Sequence, residues 1–387
     1  MIREIQIAIY LTIFRLLFNL FRVFPIQKKA TFIMSYGENA LSIYEEMREK
    51  KIDLDVVFLY KPTCKYKLKD YPEVKSYQFE TLSIVNMIEA VYHLTTSKYV
   101  IIDNYFGFLS AIKFKEGTEC IQLWHAAGSI KKFGLLDPNF NKRSKRAQKR
   151  FKRVYNNFHK IVVGSELLAD IYMSAFSVDH HQMVRTGIPR TDLFFNRIRQ
   201  EEIKKKLFLE NPNLINKKVI LYAPTFRDNE INSFKLQLEI EEMYREFHEE
   251  YVLFIRLHPA IKEELYYEIE HSQFIYDYSM YPNINDLFLV TDILITDYSS
   301  IPYEFCLLKK PMVFYPYDLE EYKKQRGIIG EYDSLVPGPV VYSTKELVSI
   351  INNNEFDLSK VEEFSLKWNQ YSKGNSSESF IREIFKI

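Results

Sequence analysis

Glycine is scarce in this chain, 11 of 387 residues, against the ~7% usual in globular proteins. Neither G-x-G-x-x-G nor G-x-x-x-x-G-K-[ST] occurs, which excludes the common dinucleotide fingerprint and the P-loop. Cysteine is scarcer still. Cys64, Cys120 and Cys306 lie far apart and form no C-x-x-C pair, so they read as structural thiols in a reducing compartment, not as a disulfide framework. No H-E-x-x-H and no Cys/His cluster suggests a metal site, and no cofactor is implied. Asp53-Leu54-Asp55 has D-x-D spacing but enters the apolar run Val56–Leu59 and reads as a strand edge. Charge of one sign is also lacking. Lys+Arg 52 against Asp+Glu 51 leaves +1, which speaks against a dedicated nucleic-acid binder. Long hydrophobic runs are missing too. In the apolar segment 1–24 the longest uncharged run, Ile5–Phe14, is ten residues between Glu4 and Arg15, short of the ~20 that a spanning helix needs.

What is present describes a globular enzyme-sized chain, with 47% hydrophobic and 27% charged residues. At ~100–200 residues per domain the length predicts two domains. On a helical wheel Glu4, Thr12, Arg15, Asn19 and Arg22 share one stripe and the rest of segment 1–24 is apolar. That is an amphipathic helix, suited either to a membrane interface or to the protein's own core; the pattern is the same for both. Arg22-Val23-Phe24-Pro25 is not a signal-cleavage site.

After Pro25, apolar strand patterns (Thr31–Ser35, Leu54–Tyr60, Tyr99–Asp103, Cys120–Trp124, Lys160–Gly164, Met183–Thr186) alternate with helical ones such as Ala40–Lys50 and Ser165–Phe176. A polar helical stretch and Asn-Pro-Asn-Leu mark a boundary near 190–216. A second alternation follows: Val219–Ala223, Val252–Leu257, Phe274–Tyr276, Ile293–Thr296 and Met312–Tyr315, with helices including Ile301–Leu308 and Thr344–Asn352. Such alternation predicts an α/β fold of two doubly wound, Rossmann-like parallel sheets facing a cleft. The expected division is 1–24 (amphipathic helix), 25–195 (first Rossmann-like domain), 216–360 (second Rossmann-like domain) and 361–387 (a helix packing back on the first domain). In open α/β sheets ligands bind beyond the carboxyl ends of strands, so residues just after each strand are the candidates.

Four strand ends stand out. Leu123-Trp124-His125 runs into Ala126-Ala127-Gly128 and then Lys131-Lys132; His125 sits where a neutral imidazole can take a proton from an attacking hydroxyl. Phe254-Ile255-Arg256-Leu257-His258-Pro259 ends a strand of the second half in another histidine. Asp297-Tyr298-Ser299-Ser300-Ile301-Pro302 leads from a strand into a helix whose start offers N–H groups and two hydroxyls to phosphate, with Ser300 as N-cap. Tyr222-Ala223-Pro224-Thr225-Phe226-Arg227-Asp228 delivers Thr225 and an arginine able to clamp a phosphate. For each, a purely structural capping or surface role is the alternative. A fifth feature is a charge run, Asn141–Lys160, with nine Lys/Arg and no acid. Lys142, Arg143, Lys145, Arg146, Lys149, Arg150, Lys152 and Arg153 occupy one arc of a helix, opposite Ala147, Phe151, Val154, Tyr155 and Phe158. Such a helix suits an anionic membrane surface; no nucleic-acid motif accompanies it.

Taken together, Trp124-His125 with Lys131-Lys132, Gly187-Ile188-Pro189-Arg190-Thr191-Asp192, Tyr222-Ala223-Pro224-Thr225, Arg256-Leu257-His258-Pro259 and Thr296-Asp297-Tyr298-Ser299-Ser300 resemble the CDP-glycerol glycerophosphotransferase family of wall teichoic acid synthesis. The resemblance implies a GT-B-like architecture and a peripheral membrane protein on the cytoplasmic face. It implies His125 as catalytic base, His258 at the donor phosphates, and Asp297 with Ser299 and Ser300 around the CDP diphosphate. Lys131 and Lys132 are expected on the acceptor side with the basic helix. Trp-His-Ala-Ala-Gly in place of Trp-His-Gly-Thr is similar to the primase branch, which adds the first glycerol phosphate from CDP-glycerol to a lipid-linked ManNAc–GlcNAc disaccharide. Glycerol- or ribitol-phosphate polymerases, a GT-B transferase using a nucleotide sugar, and a membrane-docked binding module are the alternatives, and homo-oligomerisation stays open.

Overall fold

Strands buried on both faces read as continuous apolar runs and need helices on each side of a parallel sheet. The computed structural model, which describes residues 2–66, 68–81, 83–227, 235–258, 261, 271 and 273–387, has this architecture twice. Its first unit comprises Met1–His125, Phe133–Asp192 and Gln370–Ile387. Here α1 (Ile2–Phe21), β1 (Gln27–Met34), α2 (Glu38–Glu49), β2 (Asp55–Tyr60), β3 (Lys75–Gln78), α3 (Ile84–Thr96), β4 (Ser97–Ile102), β5 (Glu119–Gln122), α4 (Lys145–Tyr155), β6 (Lys160–Val162), α5 (Glu166–Phe176) and β7 (Met183–Val184) follow in order. The strands form a parallel sheet ordered β3-β2-β1-β4-β5-β6-β7. Between β1 and β4 the strand order reverses, and Ile33 pairs with Ile102, so the carboxyl ends of these two strands lie side by side.

The second unit comprises Ala126–Lys132 and Leu193–Asn369. It carries α6 (Arg197–Glu210), β8 (Lys218–Ala223), α7 (Ile240–Phe247), β9 (Tyr251–Ile255), β10 (Ile275–Asp277), α8 (Ile284–Val290), β11 (Ile293–Thr296), α9 (Pro302–Phe305), β12 (Met312–Phe314), α10 (Leu319–Arg326), α11 (Tyr332–Leu335), α12 (Thr344–Asn352) and α13 (Leu358–Trp368). Its sheet order is β10-β9-β8-β11-β12, again parallel. The period of two is visible in the core: Val219, Leu221 and Ala223 of β8 face one hydrophobic layer, Ile220 and Tyr222 the other. Thr296 of β11 pairs with Ala223 of β8, placing a second reversal of strand order at these carboxyl ends.

The chain then returns to the first unit through α14 (Ser376–Phe380). Asp192, the last residue of the Gly-Ile-Pro-Arg-Thr-Asp motif, accepts the amides of Ser376 and Ser377, each at 2.8 Å. Tyr371 donates its amide to Gly164 and Ser372 Oγ receives that of Ile188. The strand alternation expected from sequence holds. The boundaries differ from the expected ones: residues 126–132 and 193–195 belong to the second unit, and α13 stays there, so the expected 361–387 segment joins the first unit from Gln370 onward. The short polar strand β3 is an addition.

Candidate active site

In the first unit His125 follows β5. Its Nδ1 lies 3.2 Å from the main-chain oxygen of Asp103, the residue after β4. A carbonyl oxygen only accepts, so this bond requires the proton on Nδ1 and leaves the lone pair on Nε2. The imidazole stacks on Tyr36 (centroids 4.5 Å apart, 22° between planes) and on Trp124 (4.7 Å, 25°). Trp124 has a left-handed backbone, φ +57°, costly for a bulky residue; its carbonyl accepts from Asn39 Nδ2 at 3.0 Å, and Asn39 Oδ1 takes the amide of Arg190 at 3.1 Å. Asp103 is buried, and its carboxylate accepts the amides of Ser35, Tyr36 and Gly37 at 2.8–3.0 Å. Burial pushes its carboxyl up to about 6, against the pull of those three amides, and Glu38 adds to the rise. Asp103, Tyr36 and Asn39 were not singled out by the sequence, although Asp103 closes a predicted strand, which is where the strand-end rule looks.

In the second unit Asp297, after β11, holds the corresponding place. It accepts the amide of Thr225 at 2.8 Å and that of Tyr298 at 2.6 Å on Oδ1, and Arg227 at 2.8 Å on Oδ2. Arg227 is buried and donates through Nε and Nη2 to Asp318 at 2.8 and 2.7 Å, and through Nη1 to Asp297 and the Thr225 carbonyl. The rings of Tyr298, Tyr317 and Tyr322 surround it at 4.8–5.1 Å. Burial works against this charge, but the two carboxylates outweigh it and raise its affinity for the proton. Arg227 is therefore an internal clamp, not the phosphate ligand expected from sequence. Asp297, a buried carboxylate with both oxygens engaged, shapes the loops around it instead of contacting phosphate itself.

The other second-unit candidates gather on the same sheet edge. Thr225 Oγ1 is buried and has no hydrogen-bond partner among the described residues, an orphan that a ligand can satisfy. His258 is exposed, with its ring 4.3 Å from Phe226. Arg256 anchors the approach to it by donating to Tyr278 O at 2.9 Å and to Ser279 O. Pro259 and Asp228 of the two motifs lie outside the described residues. Ser299 Oγ, not Ser300, caps the turn, accepting from Ile301 N at 3.3 Å, and α9 continues as a tighter turn through Leu308. Both serines are half-buried.

The small residues after His125 serve the second unit. A Cβ on Gly128 would fall 2.3–2.5 Å from the Tyr303 ring on α9. Lys131 pairs with Ile328 as an isolated antiparallel bridge, and Lys132 N donates to Gly327 O at 3.2 Å. Burial draws the Lys131 amine down to about 8, opposed by Asp297 and helped by Arg326 and Arg227. Lys131 thus lies in the second unit among Asp297, Arg227 and Arg326, and Lys132 sits on the same segment.

Helix α1 packs one face on the protein's own core and leaves another apolar face exposed. Phe14 and Phe18 are buried against Phe79, Phe108 and Phe114, while Ile5, Ile9, Ile13, Leu16 and Leu20 form an exposed stripe. Glu4–Phe21 is long and apolar enough, by length and composition, to cross a membrane, which the count of uncharged residues had denied. Among the described residues its charges are tied to the protein: Arg15 donates to Ala111 O and Glu4 receives Arg150 of α4 at 2.8 and 3.0 Å, while Arg22, just after the helix, donates to Lys113 O. In α4, Ser144 caps the start, Ala147, Val154 and Tyr155 are buried, and Lys145, Arg146, Lys149, Lys152 and Arg153 are exposed, as are Lys142 and Arg143 just before it. Exposed Ile84, Val85 and Ile88 at the start of α3, which packs along α1, extend the apolar surface.

Two Rossmann-like units of parallel sheet give the chain a GT-B-like fold. The chain is similar in structure to the wall teichoic acid polymerase TagF, with a TM-score of 0.79 at 22% identity over 100% of this chain and 98% of that one. The model for CDP-Glycerol:Poly(glycerophosphate) glycerophosphotransferases matches residues 16–386, and the chain belongs to that family. It is 39% identical to the teichoic acid glycerol-phosphate primase of Bacillus subtilis (strain 168) over 92% of both chains. It is 31% identical to the poly(ribitol-phosphate) polymerase of Bacillus spizizenii, matching 96% of this chain and 59% of that one. The protein is thus an enzyme, a glycerophosphotransferase.

Proposed function

We propose that this enzyme primes teichoic acid synthesis, moving one glycerol phosphate from CDP-glycerol to a lipid-diphosphate-linked ManNAc–GlcNAc disaccharide. The observation that carries this reading is the 39% identity to a glycerol-phosphate primase over 92% of both chains. In this mechanism Nε2 of His125 takes the proton of the acceptor hydroxyl as its oxygen attacks the β-phosphorus. The bond from that phosphorus to the bridging oxygen breaks, and CMP leaves with that oxygen. Thr225, Ser299, Ser300 and His258 hold the donor phosphates, with Lys131 adding positive charge. Phosphoryl transfer depends chiefly on positioning and electrostatics, which fixed donors at strand ends supply. The exposed α1 stripe and the basic face of α4 seat the first unit on the anionic cytoplasmic face of the membrane, where such an acceptor resides.

The test is CMP release from CDP-glycerol with a synthetic lipid-linked disaccharide, read for product size. One unit per acceptor is expected; a long polymer overturns priming in favour of the polymerase reading. Substituting His125→Ala should cut turnover by about 10²–10⁴-fold with CDP-glycerol binding retained. Undiminished turnover in that variant would remove His125 from the role of base.

A further inference from the structure

We propose that Asp103 is the positioning residue of His125, fixing both the tautomer and the plane of the imidazole by stitching the ends of β1 and β4 together. This rests on the reading of His125 as base. Two restraints on the ring trace to this one residue. Its main-chain oxygen, 3.2 Å from Nδ1, accepts the Nδ1 proton and assigns the basic lone pair to Nε2. Its carboxylate binds Ser35 N at 2.8 and 3.0 Å, Tyr36 N at 2.8 Å and Gly37 N at 2.9 Å, and so sets the turn from which Tyr36 stacks on the imidazole.

The turn has no slack. Gly37 is at φ +102°, and a Cβ there would meet the Tyr66 ring at 3.1 Å and Cys64 Sγ at 3.3 Å. Nor is the carboxylate placed to make an ion pair. Among the described residues its bonds go to main-chain amides of that turn, although it is buried. A buried acid without a cation is expensive; here it purchases a fixed carbonyl beside a base. The role parallels that of groups that orient an active-site histidine through its second nitrogen.

The test uses the full chain with ¹⁵N-labelled histidine, the His125 signals assigned by their loss in H125Q. The wild type should show the Nδ1-protonated tautomer near neutral pH. In D103N the signal should move toward a mixture of tautomers. Its kcat for CMP release should fall about 10- to 100-fold, with the KM for CDP-glycerol changed less than about threefold. Adding D103N to H125Q should cost nothing further, since coupled groups are non-additive. A folded D103N with wild-type tautomer and kcat overturns the proposal, as does an equal loss in the H125Q background. Tyr36 is exposed on one side, so Y36L tests the second restraint even where D103N fails to fold. Its kcat should drop several-fold, and an unchanged value overturns the proposal. If H125Q itself keeps full turnover, the base reading fails, whereas the tautomer shift in D103N still decides what Asp103 does.

Discussion

The two units place an aspartate at the same point and treat it differently. In each, the residue closing the strand beyond the reversal of order reaches back to the amide that follows the first strand: Asp103 to Tyr36, Asp297 to Thr225. Asp297 has a buried arginine, itself held by Asp318 and enclosed by three tyrosines. Among the described residues Asp103 has amides only, and burial lifts its carboxyl to about 6. The second unit thus neutralises its switch-point acid and gains a rigid frame for binding. The first leaves its acid, among the described residues, without a cation beside His125. An orphan hydroxyl accompanies each: Ser35 Oγ next to Asp103, Thr225 Oγ1 next to Asp297.

The contrast is sharpest at Arg227. Arg227→Met should destabilise the protein by about 3–5 kcal/mol, the cost of stranding a buried partner of an ion pair, in denaturant unfolding; a loss under ~1 kcal/mol would erase the contrast. The next effect concerns pH. The folded Asp103 carboxyl, at about 6 against an ordinary 3.8, holds its proton more tightly than the unfolded chain does. Its contribution to stability is therefore full below about pH 4 and is lost as pH rises to about 6, by about 2–3 kcal/mol. Glu38 and the Tyr36 hydroxyl share this environment, and Arg190 faces Tyr36. Unfolding free energies of wild type and Asp103→Asn should diverge with pH across that window; parallel profiles would break the comparison. The smallest effect per residue belongs to the exposed basic face of α4, which has no counterpart in the proposed role of the second unit. Replacing Lys145, Lys149 and Lys152 with Ala should weaken binding to anionic vesicles by about 1 kcal/mol each, leaving neutral vesicles indifferent, in a sedimentation assay.

Much of this was legible from local pattern. Apolar runs located the strands, and the strand-end rule pointed to His125, Thr225 and Ser299. What escaped depends on partners distant in the chain. Asp103 acts on a turn 66–68 residues earlier, and Arg227 looks like a phosphate clamp until Asp318, 91 residues on, is seen to occupy it. Strand β3, Lys-Ser-Tyr-Gln, has no apolar run to announce it. For α1 the helical wheel could not choose between lipid and core because the apolar circumference is wide enough to bury one face in the core and leave another exposed.

The interleaving of the two units has a consequence for synthesis on the ribosome. The second unit has all its residues once Asn369 is made, whereas the first waits for Gln370–Ile387. Asp192 must therefore hold an unmatched, half-built cap while the second unit emerges. At ~5–20 residues per second that delay is roughly 10–40 s. The later-encoded unit is the first that can finish folding, and the unit bearing His125 is closed by a segment made after it.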